Sequence, residues 1–203
     1  FLLMRATPGD PVDALLGPRA PEAAKAVMRA KLGLDQSLIK QYLDYLGQLL
    51  SFDLGSSLAS LGQTVWQIIG DHFPATVELT LCGMIIASLA GLTVGSIAAS
   101  RPNTVFDAGG RVFGIVTYAV PMNWFGMIMQ LIFAVLLNWF PIGTRFPLSE
   151  IAPQGPTGLY LLDSLLHADF YQFGTTLYYL ALPSLTLGIL ISGVFERIVR
   201  VNL

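Results

Sequence analysis

Charged side chains are scarce in this sequence: Asp, Glu, Lys and Arg make up 12% of its 203 residues, about half of their share in an average soluble domain. The formal net charge is only −2, so a basic surface for nucleic acid is not expected. The single cysteine, Cys82, excludes an intramolecular disulfide and is expected to be a packed thiol. Two isolated histidines give no metal-ligand spacing, and neither a phosphate-binding loop nor a nucleophile elbow is present. We expect no catalytic residues, cofactor site or metal site.

The few charges are also unevenly placed. Residues 79–100, 112–144 and 170–195 contain no Asp, Glu, Lys or Arg. Each run is long enough for a helix that crosses a bilayer, which needs about 20 apolar residues. The sequence therefore predicts an all-α, polytopic membrane protein with three full spans.

We expect two parts. Residues 1–73 combine the end of a preceding membrane helix, at residues 1–4, with an outer helical segment over 6–72. In that segment we predict helices over 22–32, from a cap at Asp35 or Ser37 to about 50, and over 64–72. It is either a small polar cap on the spans or a docking surface for a partner.

Residues 74–203 form the truncated transmembrane part, with spans at about 75–99, 112–137 and 176–195. We place Pro74 in the first turn of the first span, where its missing N–H costs nothing. The second run exceeds one straight crossing, so we predict a helix kinked near Pro121. The connection over 144–169 is predicted to be irregular, with one helical turn near 159–166.

Arginines flank the spans unequally. Two lie in the link 101–111, and Arg197 and Arg200 follow the third span. The positive-inside rule then places 101–111 and 197–203 in the cytoplasm and 6–72 outside. The basic residues of 6–72 do not oppose this, because long segments cross largely regardless of charge.

Three residues are candidates for the translocation path. Glu78 is the ionisable residue nearest a span interior; it either faces a pathway or lies among headgroups at a helix N-terminus. Pro121 interrupts the second span and frees a carbonyl. Asn123 either bonds between helices or contacts a solute. The Gly91-x-x-x-Gly95 spacing favours close helix packing.

Glu196, Arg197 and Arg200 follow the third span directly. They are either a charged stop to the span or the start of a cytoplasmic helix that contacts a partner. No pair of carboxylates and no Ser/His/Asp set converges in the sequence, which disfavours a membrane enzyme.

Seven strings, in register over nearly the whole chain, resemble the permease subunits of bacterial dipeptide, oligopeptide and nickel ABC importers. They are TPGDP at 7–11, KLGLDQS followed by QYL at 31–43, FDLGSS at 52–57, FPATVEL at 73–79, VP at 120–121, NWFPIG at 138–143 and LALPSLTL at 180–187.

The resemblance implies a six-helix, binding-protein-dependent permease of the plasma (inner) membrane, of which this chain holds the middle. The chain would lack most of the first helix, the cytoplasmic coupling loop and the last two helices. Glu196, Arg197 and Arg200 would then approach the coupling loop. The permease would not be an enzyme, because separate cytoplasmic subunits hydrolyse ATP.

The other partners implied by the resemblance are a second permease subunit in the same lipid bilayer and an extracytoplasmic solute-binding protein. The implied function is half of an ATP-driven path for peptides or a similar small solute. A membrane scaffold without a transport path is the alternative. The transported solute cannot be read from the sequence.

Overall fold

The computed structural model describes residues 9–57 and 62–202. The predicted helix end at residues 1–4, and Leu203 of the predicted cytoplasmic end, lie outside these ranges. The described residues form α-helices, one π-helical segment and an isolated bridge between Ser56 and Thr64. Their contacts divide the chain into one unit up to Gly70 and a second from Asp71, and each is described by itself.

The helices follow one another in this order: α1 Pro11–Leu16, α2 Glu22–Lys31, α3 Leu38–Leu50, α4 Val65–Ser100, α5 Val105–Ala119, α6 Met122–Met129, a π-helix Gln130–Leu136, α7 Tyr160–Leu166 and α8 Phe170–Asn202. The predictions for α2 and α3 agree within one residue at each end. Ser37 caps α3 by accepting from the backbone N–H of Lys40 at 3.4 Å. The turn predicted near 159–166 is α7.

The short helix α1 was not predicted. Asp10 caps it by accepting from the Val12 N–H at 2.9 Å, and Pro11 occupies the first helical position, where a proline loses no hydrogen bond. Asp10 also pairs with Arg29 of α2, and Asp13 pairs with Lys25 at 2.7 Å. Two ion pairs therefore join α1 to α2.

Helix α4 has two faces of different character. Small residues four apart are buried on one face: Gly83, Ala87, Gly91 and Gly95. Large apolar residues on other faces, such as Leu81, Ile85 and Leu89, are exposed, as expected for side chains that meet lipid. Residues three and four apart share a face of a helix, so this pattern aims the small residues at the protein.

The small face of α4 packs directly on α8. A Cβ placed on Gly91 would lie 2.4 Å from the Cβ of Phe195 and 2.5 Å from the carbonyl oxygen of Ser192. One placed on Gly95 would lie 2.8 Å from the Cβ of Val199. The helix-packing interpretation of this glycine pair is therefore confirmed.

The second predicted span is not one kinked helix over 112–137. Helix α5 already begins at Val105 and ends at Ala119, and the axis turns by 101° before α6 and the π-helix continue. Proline disfavours the helical conformation of the residue before it, and Val120 is extended, with φ −78° and ψ 124°. The chain therefore breaks at Pro121 instead of bending there.

Two further prolines, Pro74 and Pro183, lie inside helices. Pro74 is an interior residue of α4, not its first turn, because the predicted helix at 64–72 and the predicted span at 75–99 are one helix. Pro183 is likewise inside α8. By length and composition α4 and α8 can each cross a membrane, and the bent pair of α5 with α6 and the π-helix makes a third crossing if it counts as one span.

Candidate translocation cavity

The second unit contains a cavity of about 740 Å³. Residues of α4, α6, the π-helix, α8 and the connection around 141–145 line it, and most of them are apolar. Its charged lining residues are Glu78 and Arg145. The cavity is large enough for a small solute, and a mainly apolar wall with a few polar groups is typical of ligand sites.

Glu78 is held by two partners from distant parts of the chain. Its side chain is 4% exposed. Oε2 accepts from Nη2 of Arg145 at 2.8 Å, and Oε1 accepts from the backbone N–H of Leu161 at 2.6 Å. A buried carboxylate requires such partners. Glu78 is therefore buried at the cavity wall, and its role on a translocation path stays a prediction.

Arg145 is fixed by the connection that carries it. Nη2 also donates to the carbonyl of Gly158 at 3.1 Å. The guanidinium carbon lies 3.8 Å from the centre of the Tyr160 ring, within the range of a cation–π contact. The arginine therefore has a defined plane and position at the cavity wall.

The connection over 144–169 is more ordered than predicted, and Asp163 organises it. This side chain is fully buried, and Oδ1 accepts from the hydroxyl of Thr157 at 2.7 Å. Gly155 is required beside it, because a Cβ there would lie 2.3 Å from Cγ of Asp163. Pinning the residues before α7 in this way places Gly158 and Tyr160 against Arg145.

The other two predicted path residues, Asn123 and Pro121, differ in their position relative to the cavity. Asn123, in the first turn of α6, lines the cavity. Pro121 lies at the break before α6 and is absent from the lining among the described residues. It acts on the cavity by ending α5 and starting α6, which carries Asn123.

Glu196 is not a solvent-exposed stop to a span. It is fully buried, and Oε1 accepts from Nε of Arg200 at 3.0 Å. A Cβ on Gly114 of α5 would lie 2.7 Å from Oε2 of Glu196. Arg200 also lies 3.9 Å from Asp107. Glu196 is thus a second buried glutamate of the helices, besides Glu78.

Arg197 does not join this group. Its side chain is exposed, whereas Arg200 pairs with both Glu196 and Asp107, and Asp107 also pairs with Arg111 of α5. We call Asp107, Arg111, Glu196 and Arg200 the α5–α8 charge cluster. The three residues predicted together after the third span therefore have two different environments.

Two cavity residues were missed by sequence reasoning. Arg145 is the only lysine or arginine between 144 and 169, which was a usable signal, but nothing in the sequence pairs it with Glu78. Thr176 is 2% exposed, and its hydroxyl has no hydrogen-bond partner in the described part of the chain. No group of three His, Cys, Asp or Glu residues suited to a metal occurs in the ranges 9–57 and 62–202.

Sequence comparisons agree with this architecture. Residues 1–80 match the family described as the N-terminal part of binding-protein-dependent transport system membrane components. The di/tripeptide transport system permease protein DppB of Pseudomonas aeruginosa is 38% identical over 204 residues, which cover 98% of this chain and 59% of that protein.

Two Escherichia coli proteins are also similar. The probable D,D-dipeptide transport system permease protein DdpB is 34% identical over 98% of this chain and 58% of its own length. The dipeptide transport system permease protein DppB is 32% identical over 98% of this chain and 60% of its own length. The chain spans about three fifths of these curated relatives.

The helices and the relatives define the class first: this is an all-α integral protein of the inner membrane. Within that class, the chain belongs to the family of binding-protein-dependent transport system membrane components, and the curated relatives are permease proteins of dipeptide and di/tripeptide transport systems.

Proposed function

We propose that this chain is part of the transmembrane subunit of an ATP-driven importer and forms half of the path for peptides or a similar small solute. The cavity carries this proposal, because it lies among the helices that would cross the membrane and combines an apolar wall with the fixed pair of Glu78 and Arg145. The relatives, which are permease proteins of dipeptide and di/tripeptide transport systems, support the same function.

The path would be completed by other chains. We infer a second permease subunit beside this one in the lipid bilayer, ATP-binding subunits on the cytoplasmic side and a solute-binding protein outside. Residues 1–73 would combine the end of a preceding membrane helix with the outer helical segment over 6–72, and 74–203 would form the transmembrane part. Helix α3 supports a docking role for the outer part, because it has no buried residue and exposes Leu38, Ile39 and Leu43.

We assign roles to the predicted residues on the same basis. Glu78 would hold Arg145 at the path, Asn123 would line it, and Pro121 would set the direction of α6. Glu196 and Arg200 would brace the end of α8 where it approaches the ATP-binding subunits, with Arg197 exposed beside them.

Uptake in a reconstituted system tests the proposal. The full-length protein, its second permease and its ATP-binding subunits are placed in proteoliposomes containing ATP, with the solute-binding protein outside, and uptake of labelled Ala-Ala is measured. We expect uptake that requires both ATP and this subunit. A scaffold without a transport path would be required for assembly, yet Ala-Ala would not accumulate when the complex is intact.

Cysteine labelling tests the orientation, with 6–72 outside and 101–111 and 197–203 in the cytoplasm. In a Cys82→Ser background, Ser56→Cys should react with an impermeant maleimide in intact spheroplasts, because Ser56 is exposed in the outer segment. Thr104→Cys, in the link between α4 and α5, should react only after lysis. The reverse pattern would overturn the orientation.

A further inference from the structure

Arg145 retains unused hydrogen-bond donors at the cavity. A guanidinium has five N–H groups, and Nη2 uses its two on Glu78 and Gly158. The remaining three, on Nε and Nη1, have no partner among the residues that the structure describes. The side chain is 28% exposed, so a molecule in the cavity can reach it.

The carboxylate of Glu78, in contrast, is not accessible to a molecule in the cavity. Both of its oxygens accept hydrogen bonds, from Arg145 and from the Leu161 N–H, and the side chain is 4% exposed. The accessible charge of the pair is therefore the cation. Since these two are the charged residues of the lining, the cavity offers positive charge to a solute.

Thr176 supplies a second unused group in the same cavity. Threonines within these helices commonly donate to the carbonyl four residues earlier, as Thr80 and Thr186 do at 2.7 and 2.8 Å. The Thr176 hydroxyl makes no hydrogen bond in the described structure although it is 2% exposed. A buried hydroxyl without a partner is unfavourable, and rotation of this side chain toward the cavity would let a polar ligand satisfy it.

We propose that Arg145 recognises the C-terminal carboxylate of a peptide in this cavity, with Glu78 as its positioning residue and Thr176 as a further polar contact. The inference rests on the proposed transport function and names the group of the solute that the permease recognises. A free N–H of Nη1 or Nε can donate a single charge-assisted hydrogen bond to a carboxylate. The Tyr160 ring fixes the plane of the guanidinium and therefore the direction of these donors.

The arrangement also suits release. Glu78 already neutralises part of the arginine's charge, which weakens its hold on a second carboxylate. A group on a path must bind strongly enough to admit the solute and weakly enough to release it. An unpaired arginine in the same position would retain the carboxylate for longer.

A ratio of uptake rates isolates this recognition. In the reconstituted full-length transporter, uptake of Ala-Ala is divided by uptake of Ala-Ala amide, in wild type and in Arg145→Gln. The same solute-binding protein serves both, so its own preference cancels between variants. We expect the ratio to fall about tenfold in Arg145→Gln, the lower end for loss of a hydrogen bond to a charged group.

Matched variants separate recognition from structure. Arg145→Lys keeps the charge and should retain most of the ratio. Arg111→Gln removes an arginine of another ion pair that does not line the cavity, and should leave the ratio unchanged. A third peptide, Ala-Glu amide, carries only a side-chain carboxylate; if Arg145→Gln lowers its uptake as much as that of Ala-Ala, the terminal position is not what is read.

An unchanged ratio in Arg145→Gln would overturn the inference. Whether uptake of both peptides were kept or were lost equally, it would mean that Arg145 has only a structural role. Those results leave wild-type uptake intact, whereas failure of the proposed function would abolish ATP-dependent uptake in wild type. If a variant does not assemble, modification of the wild-type Arg145 by phenylglyoxal decides, because Ala-Ala should protect this residue and the amide should not.

Discussion

Two buried glutamates of the second unit are bound to arginines in different ways. Glu78 pairs with an arginine 67 residues away and has a partner on each oxygen. Glu196 pairs with Arg200 on the next turn of its own helix, and its Oε2 has no partner in the described structure. Glu78 borders the cavity, whereas Glu196 is packed against α5.

This difference shows that burial of a carboxylate does not by itself indicate a binding site. The Glu196 contacts brace two helices, and they leave no room for a solute, because glycines of α5 fill the space next to the side chain. At Glu78 the arginine extends beyond the pair and still has free donors. The group that distinguishes the two places is therefore the arginine.

The largest effect is expected from Arg200→Ala. It leaves the fully buried Glu196 without its charge partner, and breaking such a pair costs about 3 kcal/mol. Unfolding of the full-length protein in mixed micelles of dodecylmaltoside and SDS measures the loss. Adding Glu196→Gln should restore at least half of the stability, because the uncompensated charge is then removed. No restoration would mean that lost packing, not charge, causes the effect.

Arg145→Ala should cost less, about 2 kcal/mol, because Glu78 keeps the Leu161 N–H as a partner. The same unfolding assay applies. Arg145→Lys should recover most of the loss. A cost equal to or above that of Arg200→Ala would reverse the order of the two pairs and remove the structural basis of the comparison.

A glycine next to the α5–α8 charge cluster gives the next smaller effect. Gly114→Ala places a Cβ 2.7 Å from Oε2 of Glu196, and overpacking of this kind costs about 1–2 kcal/mol. Gly109→Ala, on the same helix with nothing within 4 Å, is the control and should be neutral or slightly stabilising. Equal effects would show that helix propensity, not the contact with Glu196, is measured.

An ion pair outside the membrane-spanning helices should give the smallest, pH-dependent effect. Arg29 and the Val12 N–H hold the pKa of Asp10 below its ordinary value of 3.8. A lowered folded-state pKa means that the stabilisation is complete above the unfolded value and is lost as the pH falls through the folded one. The melting difference between wild type and Arg29→Gln should thus be present at about pH 6 and shrink progressively as the pH falls below 3.8. A difference that persists in acid would assign it to packing.

Sequence reasoning succeeded where the information was local. The charge-free runs led to the long helices, the Ser37 cap to the start of α3, and the spacing of Gly91 and Gly95 to a packing face. It did not find the contact between Glu78 and Arg145. Residues 67 positions apart are brought together by tertiary structure, and one cation facing several carboxylates does not specify its partner.

The prolines show why local rules were insufficient. A proline inside a helix costs about 3 kcal/mol wherever it occurs, yet α8 continues through Pro183 while α5 stops before Pro121. Leu182 and Ser184 are buried on either side of Pro183, so packing can offset the cost there. Beside Pro121, Ala119 and Met122 are exposed. Packing therefore does not offset the cost of the proline there, and the helix breaks.

Helix α8 connects the cavity with the α5–α8 charge cluster. It runs without interruption from Phe170 to Asn202, with Thr176 at the cavity and Glu196 in the charge cluster. The 20 residues between them correspond to a lever of about 30 Å. A tilt of this rod by about ten degrees around its midpoint would shift the two ends in opposite directions by roughly 2–3 Å. A displacement of that size is comparable to one hydrogen-bond length. Movement at either end of α8 would therefore change the contacts at its other end.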